Sequence, residues 1–227
     1  MHVFYLHGFA SSPQSTKARI MAKRLAVHGL ALHCPNLNAP DFSTLTITRM
    51  IDQVESTLQE LPPAPVVLIG SSLGGLVAVH VAARHRRGST HPVEQMMLLA
   101  PAFEFRRGLL RRLGREGIAH WRATDRLDVF HYGYGEIRLV GFALYADARQ
   151  YDAFAARLDV PILIFQGRLD ESVNPRMVER FARTRPNVTL RLLDDDHQLV
   201  GSMEVIWRGI AETLGIATRA GNPASRP

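Results

Sequence analysis

The sequence predicts an α/β protein with a mostly parallel sheet that is flanked by helices. Short apolar runs alternate along the chain with longer stretches whose apolar residues recur at helical spacing. Strands that are apolar throughout are typical of parallel sheets, because helices cover both faces of such a sheet. The composition agrees with a globular fold, since 46% of the 227 residues are hydrophobic and 21% are charged.

These patterns assign the main strands and helices. Strands are predicted at 3–6, 30–34, 66–69, 96–100, 160–166 and 188–193. Helices are predicted at 18–28, 44–61, 73–83, 175–184 and 203–214. Ser43, Asn174 and Ser202 are the predicted N-caps, because their side-chain oxygens can accept from free amides in a first helical turn. Pro175 then occupies the first helical position, which proline favours.

One long segment interrupts this alternation. Residues 102–159, called the insertion below, begin with an arginine-rich stretch and continue with a predicted hairpin at 129–139 and a predicted helix at 142–154. We expect the insertion to form a cap over the strand ends of a single domain that spans 1–218. Residues 219–227 are expected to form a flexible tail.

Charge and cysteine content limit the class of protein. The net charge is +6, but the basic residues are scattered except in the insertion, so no nucleic-acid partner is expected. Cys34 is the single cysteine, and nothing therefore requires an oxidising compartment. No stretch approaches the roughly 20 apolar residues of a membrane span, and the N-terminus does not resemble a signal peptide. These features predict a soluble, cytoplasmic protein of unspecified oligomeric state.

The most informative motif is the segment GSSLG at 70–74, which fits the pattern G-x-S-x-G with Ser72 in the centre. It follows a predicted buried strand and precedes a predicted helix, as a nucleophile elbow requires. The flanking glycines are needed because side chains two positions before or after the serine would meet neighbouring backbone. The alternative is another kind of Gly/Ser-rich turn, for example one that binds phosphate.

A nucleophilic serine needs a base, and the base needs an orienting acid. His197 alone among the ten histidines follows the strand at 160–166, and it lies just beyond the last predicted strand. The other histidines, except His7, are interpreted as surface or strand-edge residues. Asp170 follows the preceding strand at its carboxyl end, which gives the order Ser, Asp, His that this arrangement uses.

Other acidic residues compete for the role of Asp170. Glu171 is its neighbour, and the run at 194–196 is closer to His197 in sequence. We interpret that run as a solvated turn, because adjacent residues on a tight loop rarely place their side chains face to face. A metal site at 194–197 is disfavoured, since no second histidine or cysteine lies at ligand spacing.

Two backbone amides are candidates for stabilising an oxyanion. The amide of Leu73 follows Ser72 directly and begins a helix, and the amide of Phe9 lies in the loop after the first strand. Gly8 permits close approach of that loop. The loop and Ser72 are both predicted at the same edge of the sheet.

Four segments together resemble the small bacterial YqiA-type serine esterases. They are YLHGFASSP at 5–13 with Ser15 and KA at 17–18, GSSLGG at 70–75, GRLDE at 167–171, and DDDH at 194–197. The resemblance extends from residue 3 to about residue 214. It implies an α/β-hydrolase fold, esterase or thioesterase activity, and a triad of Ser72, Asp170 and His197.

These observations predict a serine hydrolase that acts on a small-molecule acyl ester or thioester and needs no cofactor or metal. A peptidase or an acyltransferase could use the same triad. A binding protein that uses its arginine-rich segment on nucleic acid or anionic lipid is a weaker alternative, because a pure binder does not need a triad. We expect the insertion to determine which substrate is accepted.

Overall fold

The strands of the central sheet are all parallel, so their carboxyl ends lie along one edge. In the computed structural model, which describes residues 1–216, the strands are β1 (His2–Leu6), β2 (Leu32–His33), β3 (Val66–Ser71), β4 (Val93–Leu99), β5 (Leu127–His131), β6 (Glu136–Val140), β7 (Ile162–Gly167) and β8 (Val188–Leu193). The order across the sheet is β2-β1-β3-β4-β7-β8, while β5 and β6 form a separate antiparallel hairpin. The predicted parallel α/β architecture is thereby confirmed.

Helices cover both faces of this sheet. They are α1 (Thr16–Ala26), α2 (Ile47–Gln59), α3 (Leu73–Arg84), α4 (Phe105–Thr124), α5 (Ala143–Asp147), α6 (Pro175–Arg183) and α7 (Met203–Leu214). Alternate residues of each central strand enter two apolar clusters, one beneath α1 and α7 and one beneath α2, α3 and α6. Burial on both sides explains why the strands have no polar periodicity.

The helix starts follow the predictions at two of three positions. Asn174 caps α6, accepting from the amide of Arg176 at 3.0 Å. Helix α7 begins directly after Ser202 as predicted, but the Ser202 side chain makes no capping hydrogen bond. Ser43 does not cap α2, and that prediction was wrong. Its hydroxyl donates to Asp41 at 2.6 Å within a short 3₁₀ turn, and Thr46 caps α2 instead by accepting from the amide of Arg49.

The insertion consists of α4, the β5–β6 hairpin and α5. Gly114 interrupts α4 with a positive φ of 68°. The hairpin confirms the predicted pairing, but α5 ends at Asp147 and is shorter than the predicted helix at 142–154. A 3₁₀ turn follows α5, and the carboxylate of Asp152 then accepts from the amide of Phe154, which favours a turn over a helix.

Contacts between aromatic rings attach the insertion to the carboxyl edge of the sheet. The ring of Phe9, after β1, lies 5.7 Å from Phe105 at the start of α4 and 5.6 Å from Phe42. Phe42 in turn lies 4.7 Å from His131 of the hairpin. His131 is completely buried by these contacts, so its interpretation as a surface or strand-edge residue was wrong. At the other end of α4, the indole of Trp121 donates to the carbonyl of Val140 at 2.9 Å.

Two further expectations concern the C-terminal tail and the absence of a membrane span. The predicted tail, residues 219–227, lies outside the described residues. Within residues 1–216, no helix combines the length and the apolar character that crossing a bilayer requires.

Candidate active site

Ser72 lies on a tight turn between β3 and α3. Its φ and ψ of 53° and −119° lie in a region that non-glycine residues rarely occupy, and such strain needs support from surrounding contacts. The amide of Ser72 donates to Leu99 at 2.9 Å, and its carbonyl accepts from Ala102 at 3.0 Å. These two bonds connect the turn to β4 and to the start of the insertion.

Glycines at 70 and 74 permit the turn because the backbone is too close for side chains. A β-carbon on Gly70 would lie 2.6 Å from the carbonyl oxygen of Gly74. A β-carbon on Gly74 would overlap the carbonyl of Leu6 at the end of β1. The G-x-S-x-G spacing is therefore explained by steric contact within the elbow and with β1.

The structure brings Ser72, His197 and Asp170 together across 125 residues of sequence. The Nε2 atom of His197 lies 3.1 Å from the Ser72 hydroxyl, and its Nδ1 atom lies 2.8 Å from a carboxylate oxygen of Asp170. The Asp170 side chain is fully buried, whereas that of His197 is 20% exposed. An ionised Asp170 can only accept, so Nδ1 carries the hydrogen and Nε2 is free to accept from Ser72.

Asp170 has four hydrogen-bond donors around its carboxylate. Its Oδ1 atom accepts from the amides of Ser172 and Val173, and its Oδ2 atom accepts from Gln166 at 2.9 Å as well as from His197. Burial by itself raises the pKa of Asp170, but the bonds from His197, Val173 and Gln166 outweigh it and lower the pKa below its usual value. The carboxylate is thus held ionised.

Gln166 was not identified by sequence reasoning. It is a completely buried polar residue at the end of the apolar strand β7, four positions before Asp170. The sequence signal that could have identified it is a glutamine at the end of an otherwise apolar strand. Only the folded loop shows that the side-chain amide of this glutamine reaches the carboxylate of Asp170.

The loops after β7 and β8 are joined through their backbones. The amides of Arg168 and Leu169 donate to the carbonyls of Leu193 and Asp195 at 2.8 and 3.1 Å. A β-carbon on Gly167 would overlap the Asp195 carbonyl. This close pairing sets the distance between the loop that carries Asp170 and the loop that carries His197.

The aspartate run beside His197 has other partners. Asp194 is exposed and pairs with Arg168 at 3.1 Å. The side chains of Asp195 and Asp196 accept from backbone amides of their own loop, at 2.8 and 2.7 Å. Among these residues and Asp170, only Asp170 bonds to the His197 ring. The prediction of a fully solvated turn was too simple for Asp195, which is half-buried.

Lys17 connects α1 to the loop of His197. Its ammonium donates to the carbonyl of Gln198 at 2.8 Å. Burial lowers the pKa of Lys17, and the charges of Asp196, Asp195 and Asp170 oppose that effect, in that order. A partly buried ammonium thus lies among the acidic groups of both loops, and only the resemblance had included this lysine.

The loop after β1 lies against Ser72. A β-carbon on Gly8 would be 3.1 Å from the β-carbon of Ser72. The Nδ1 atom of His7 bonds to the Gly8 carbonyl at 3.0 Å, while its Nε2 atom accepts from the amide of Leu37 at 3.1 Å. In a trans peptide the carbonyl and the next amide point in opposite directions, so this bond fixes the orientation of the Phe9 amide.

The amides of Phe9 and Leu73 are both free to bind a ligand. Neither has a hydrogen-bond partner among residues 1–216. Leu73 is the first residue of α3, where a helix leaves its amides without internal partners. Within the same residues, no group of three histidine, cysteine or acidic side chains is arranged to hold a metal ion.

The burial of His7 predicts a loss of stability in acid. Burial lowers the pKa of His7 from 6.5 to about 4. The unfolded chain therefore binds this proton at a higher pH than the folded protein does. The free energy of unfolding should fall as the pH drops from 6.5 to 4, by about 3 kcal/mol from this group, and level off below. Urea unfolding at several pH values measures this.

Two variants isolate the contribution of His7. His7→Asn removes this titration, so the change in the free energy of unfolding with pH should decrease by the equivalent of about one proton. The contribution of His80, whose pKa burial also lowers to about 4, should remain. His120→Asn, at an exposed position, is the matched control for replacing a histidine by asparagine. A His7→Asn profile identical to wild type would contradict the prediction.

Comparisons with solved structures identify the fold. A candidate hydrolase from Agrobacterium vitis S4 superposes with a TM-score of 0.81 at 24% identity, over 93% of this chain and 87% of that one. Mouse alpha/beta hydrolase domain-containing protein 10 gives 0.79 at 18%, over 94% and 89%. Est1E from Butyrivibrio proteoclasticus, with ferulic acid bound, gives 0.74 at 20%, over 94% and 89%. The fold is therefore the α/β-hydrolase fold, as predicted.

Sequence comparison gives the family. No curated protein matches the chain. The family model described as "Uncharacterised protein family (UPF0227)" matches residues 2–212, which confirms the resemblance to YqiA-type proteins. The chain belongs to the family UPF0227 and has an α/β-hydrolase fold.

Proposed function

We propose that the protein is a serine hydrolase that cleaves carboxylic esters or acyl thioesters through an acyl-enzyme on Ser72. The observation that carries this proposal is the unbroken hydrogen-bond chain from Ser72 through His197 to a buried, ionised Asp170. The free amides of Phe9 and Leu73 beside it provide donors for an oxyanion. Ester chemistry is favoured further by the fold shared with Est1E, whose structure contains ferulic acid.

Acylation follows from the geometry. The Ser72 oxygen attacks the acyl carbonyl while Nε2 of His197 takes the hydroxyl proton. Asp170 holds Nδ1–H and stabilises the imidazolium that forms. The carbonyl oxygen becomes an oxyanion held by the amides of Phe9 and Leu73. Such a donor contributes roughly 2.7–4 kcal/mol to the transition state in comparable sites.

Deacylation reuses the same groups. Collapse of the first intermediate breaks the bond to the alcohol or thiol, which takes the proton from His197. A water molecule then attacks the acyl-enzyme, and His197 takes its proton. The second intermediate releases the carboxylic acid and returns the proton to Ser72, so each step balances without a cofactor.

Two aromatic rings indicate what the acyl group contacts. Phe9 and Phe105 are both partly exposed, and both belong to segments that touch Ser72 through their backbones. Their rings contact each other, with centroids 5.7 Å apart, and supply apolar surface close in sequence to both of these backbone contacts. We infer that the acyl portion of the substrate is apolar and that the start of the insertion selects it.

Replacing Ser72 tests the nucleophile. Ser72→Ala should lower kcat for a p-nitrophenyl ester by a factor of order 10⁶, as in other triads, and abolish labelling by a fluorophosphonate. Peptide mapping of the labelled wild type should locate the probe on Ser72. The neighbouring buried Ser71 provides the control, because Ser71→Ala should keep the labelling. Substantial hydrolysis by Ser72→Ala would refute the assignment.

The two candidate acids can be separated by matched variants. Asp170→Asn places a neutral group opposite Nδ1 and favours the wrong tautomer of His197, so kcat should fall about 10⁴-fold. Asp195→Asn keeps an oxygen that can accept from the Asp196 amide and should retain most activity. Steady-state kinetics of both variants measure this difference. A large loss of kcat in Asp195→Asn with little loss in Asp170→Asn would assign the orienting acid to the aspartate run at 194–196.

Lys17 should act as a positioning residue for His197. Lys17→Met removes the bond to Gln198 and should lower kcat about tenfold, with little change in KM, because the His197 loop loses one fixed contact. Lys17→Arg should restore much of the loss. Arg24→Met is the matched control, since it breaks a different bond from α1, to Glu204 at 2.7 Å. Equal kcat losses in Lys17→Met and Arg24→Met would show a general stability effect instead.

A further inference from the structure

The β5–β6 hairpin exposes several large apolar side chains together. Phe130, Tyr132 and Ile137 are 49%, 75% and 68% exposed. Phe130 and Ile137 are cross-strand partners on the outward face, and the ring of Tyr132 lies 5.2 Å from that of Phe130. The inward face carries the buried His131 and Val140. A contiguous exposed patch of this kind is unusual on a soluble surface and indicates a contact surface.

This patch lies at the edge of the sheet where Ser72 is found. Gly133, in the turn of the hairpin, is so close to Ser12 that a β-carbon would lie 2.7 Å from the serine β-carbon. Two further exposed apolar side chains lie at the same edge: Leu169, 69% exposed, precedes Asp170, and Val200, 54% exposed, follows His197 by three positions. Exposed apolar side chains are thus found on the hairpin, which contacts the loop after β1, and on the two loops that carry Asp170 and His197.

Unpaired positive charge accompanies the apolar patch. Helix α4 lies beside the hairpin, because its first residue contacts Phe9 and its last turns bond to the end of β6. The helix carries four exposed arginines that form no ion pair with a carboxylate among residues 1–216. These are Arg111, Arg112, Arg115 and Arg122. By contrast, Arg107 pairs with Glu104 at 2.6 Å.

We propose that the hairpin and α4 dock the protein on a lipid bilayer with anionic headgroups. Aromatic and aliphatic side chains enter the boundary between headgroups and acyl chains, and each nearby arginine is attracted to the anionic surface. A second copy of the chain is disfavoured because the net charge is +6, so two copies repel each other, whereas an anionic surface attracts the same charge. Docking goes beyond hydrolysis and needs neither Ser72 nor its chemistry.

Vesicle co-sedimentation tests this docking. Wild-type protein should bind vesicles of phosphatidylglycerol and phosphatidylcholine at least tenfold more tightly than vesicles of phosphatidylcholine alone. High salt should reduce the difference. The double variant F130S/I137S should bind the mixed vesicles at least tenfold more weakly. The triple variant R111Q/R112Q/R115Q should lose the preference for phosphatidylglycerol.

Controls separate this surface from general effects and from catalysis. V27S/V205S changes two exposed valines at α1 and α7, which cover the sheet face opposite α2 and α3, and should bind like wild type. Ser72→Ala should also bind like wild type, so that docking and the proposed hydrolysis fail or succeed separately. Circular dichroism and thermal unfolding verify that each variant is folded.

Three results would overturn the proposal. The first is equal or no binding of wild type to the two vesicle types. The second is an equal loss of binding in V27S/V205S and F130S/I137S. The third is a wild-type dimer in sedimentation velocity that the substitutions F130S/I137S dissociate, together with no binding of wild type to vesicles. The patch would then be an interface between two copies of the chain.

Discussion

The close approach of two backbones beside Ser72 is the constraint on which the site depends. Gly74 lies against the Leu6 carbonyl at the end of β1, so the elbow and the loop of Phe9 are in contact. Through that contact, the backbone alone brings Ser72 close to the segments that carry the amides of Phe9 and Leu73. Hydrogen bonds from Ser72 to β4 and the insertion then support its strained backbone, which an isolated turn would not hold.

A second close contact between backbones lies on the other side of the site. Gly167 lets the loop after β7 touch the Asp195 carbonyl, and backbone bonds continue the contact. Asp170 and His197 are therefore placed by rigid strand ends and not by flexible side chains. Buried polar groups complete the arrangement: Gln166 donates to the Asp170 carboxylate, and neutral His7 bonds to the Gly8 carbonyl in the loop of Phe9. The amide nitrogen of Gln166 and both ring nitrogens of His7 have hydrogen-bond partners, which offset part of the cost of burying these side chains.

The insertion combines two surfaces with opposite character. Its inner side contributes the rings of Phe105 and His131 to a cluster that closes over the loop of Phe9. Its outer side exposes Phe130 and Ile137 on the hairpin, and α4 adds exposed arginines without an ion-pair partner among residues 1–216. An apolar acyl substrate and a lipid surface are compatible demands on such an element, because different sides of the insertion would serve them. The proposed chemistry and the proposed docking thus share one edge of the sheet.

The sequence by itself determined the parallel α/β architecture, since burial of both sheet faces imposes apolar strands and amphipathic helices. It also determined the candidate triad, because G-x-S-x-G and the chain order of Asp170 and His197 are local signals. Only the tertiary structure decided which acid meets His197, that Gln166 and Lys17 support the loops, and that His131 is buried. Those facts depend on contacts between residues distant in sequence, which periodicity does not encode. The end of α5 and the cap of α2 likewise depended on side-chain bonds, from Asp152 and Thr46.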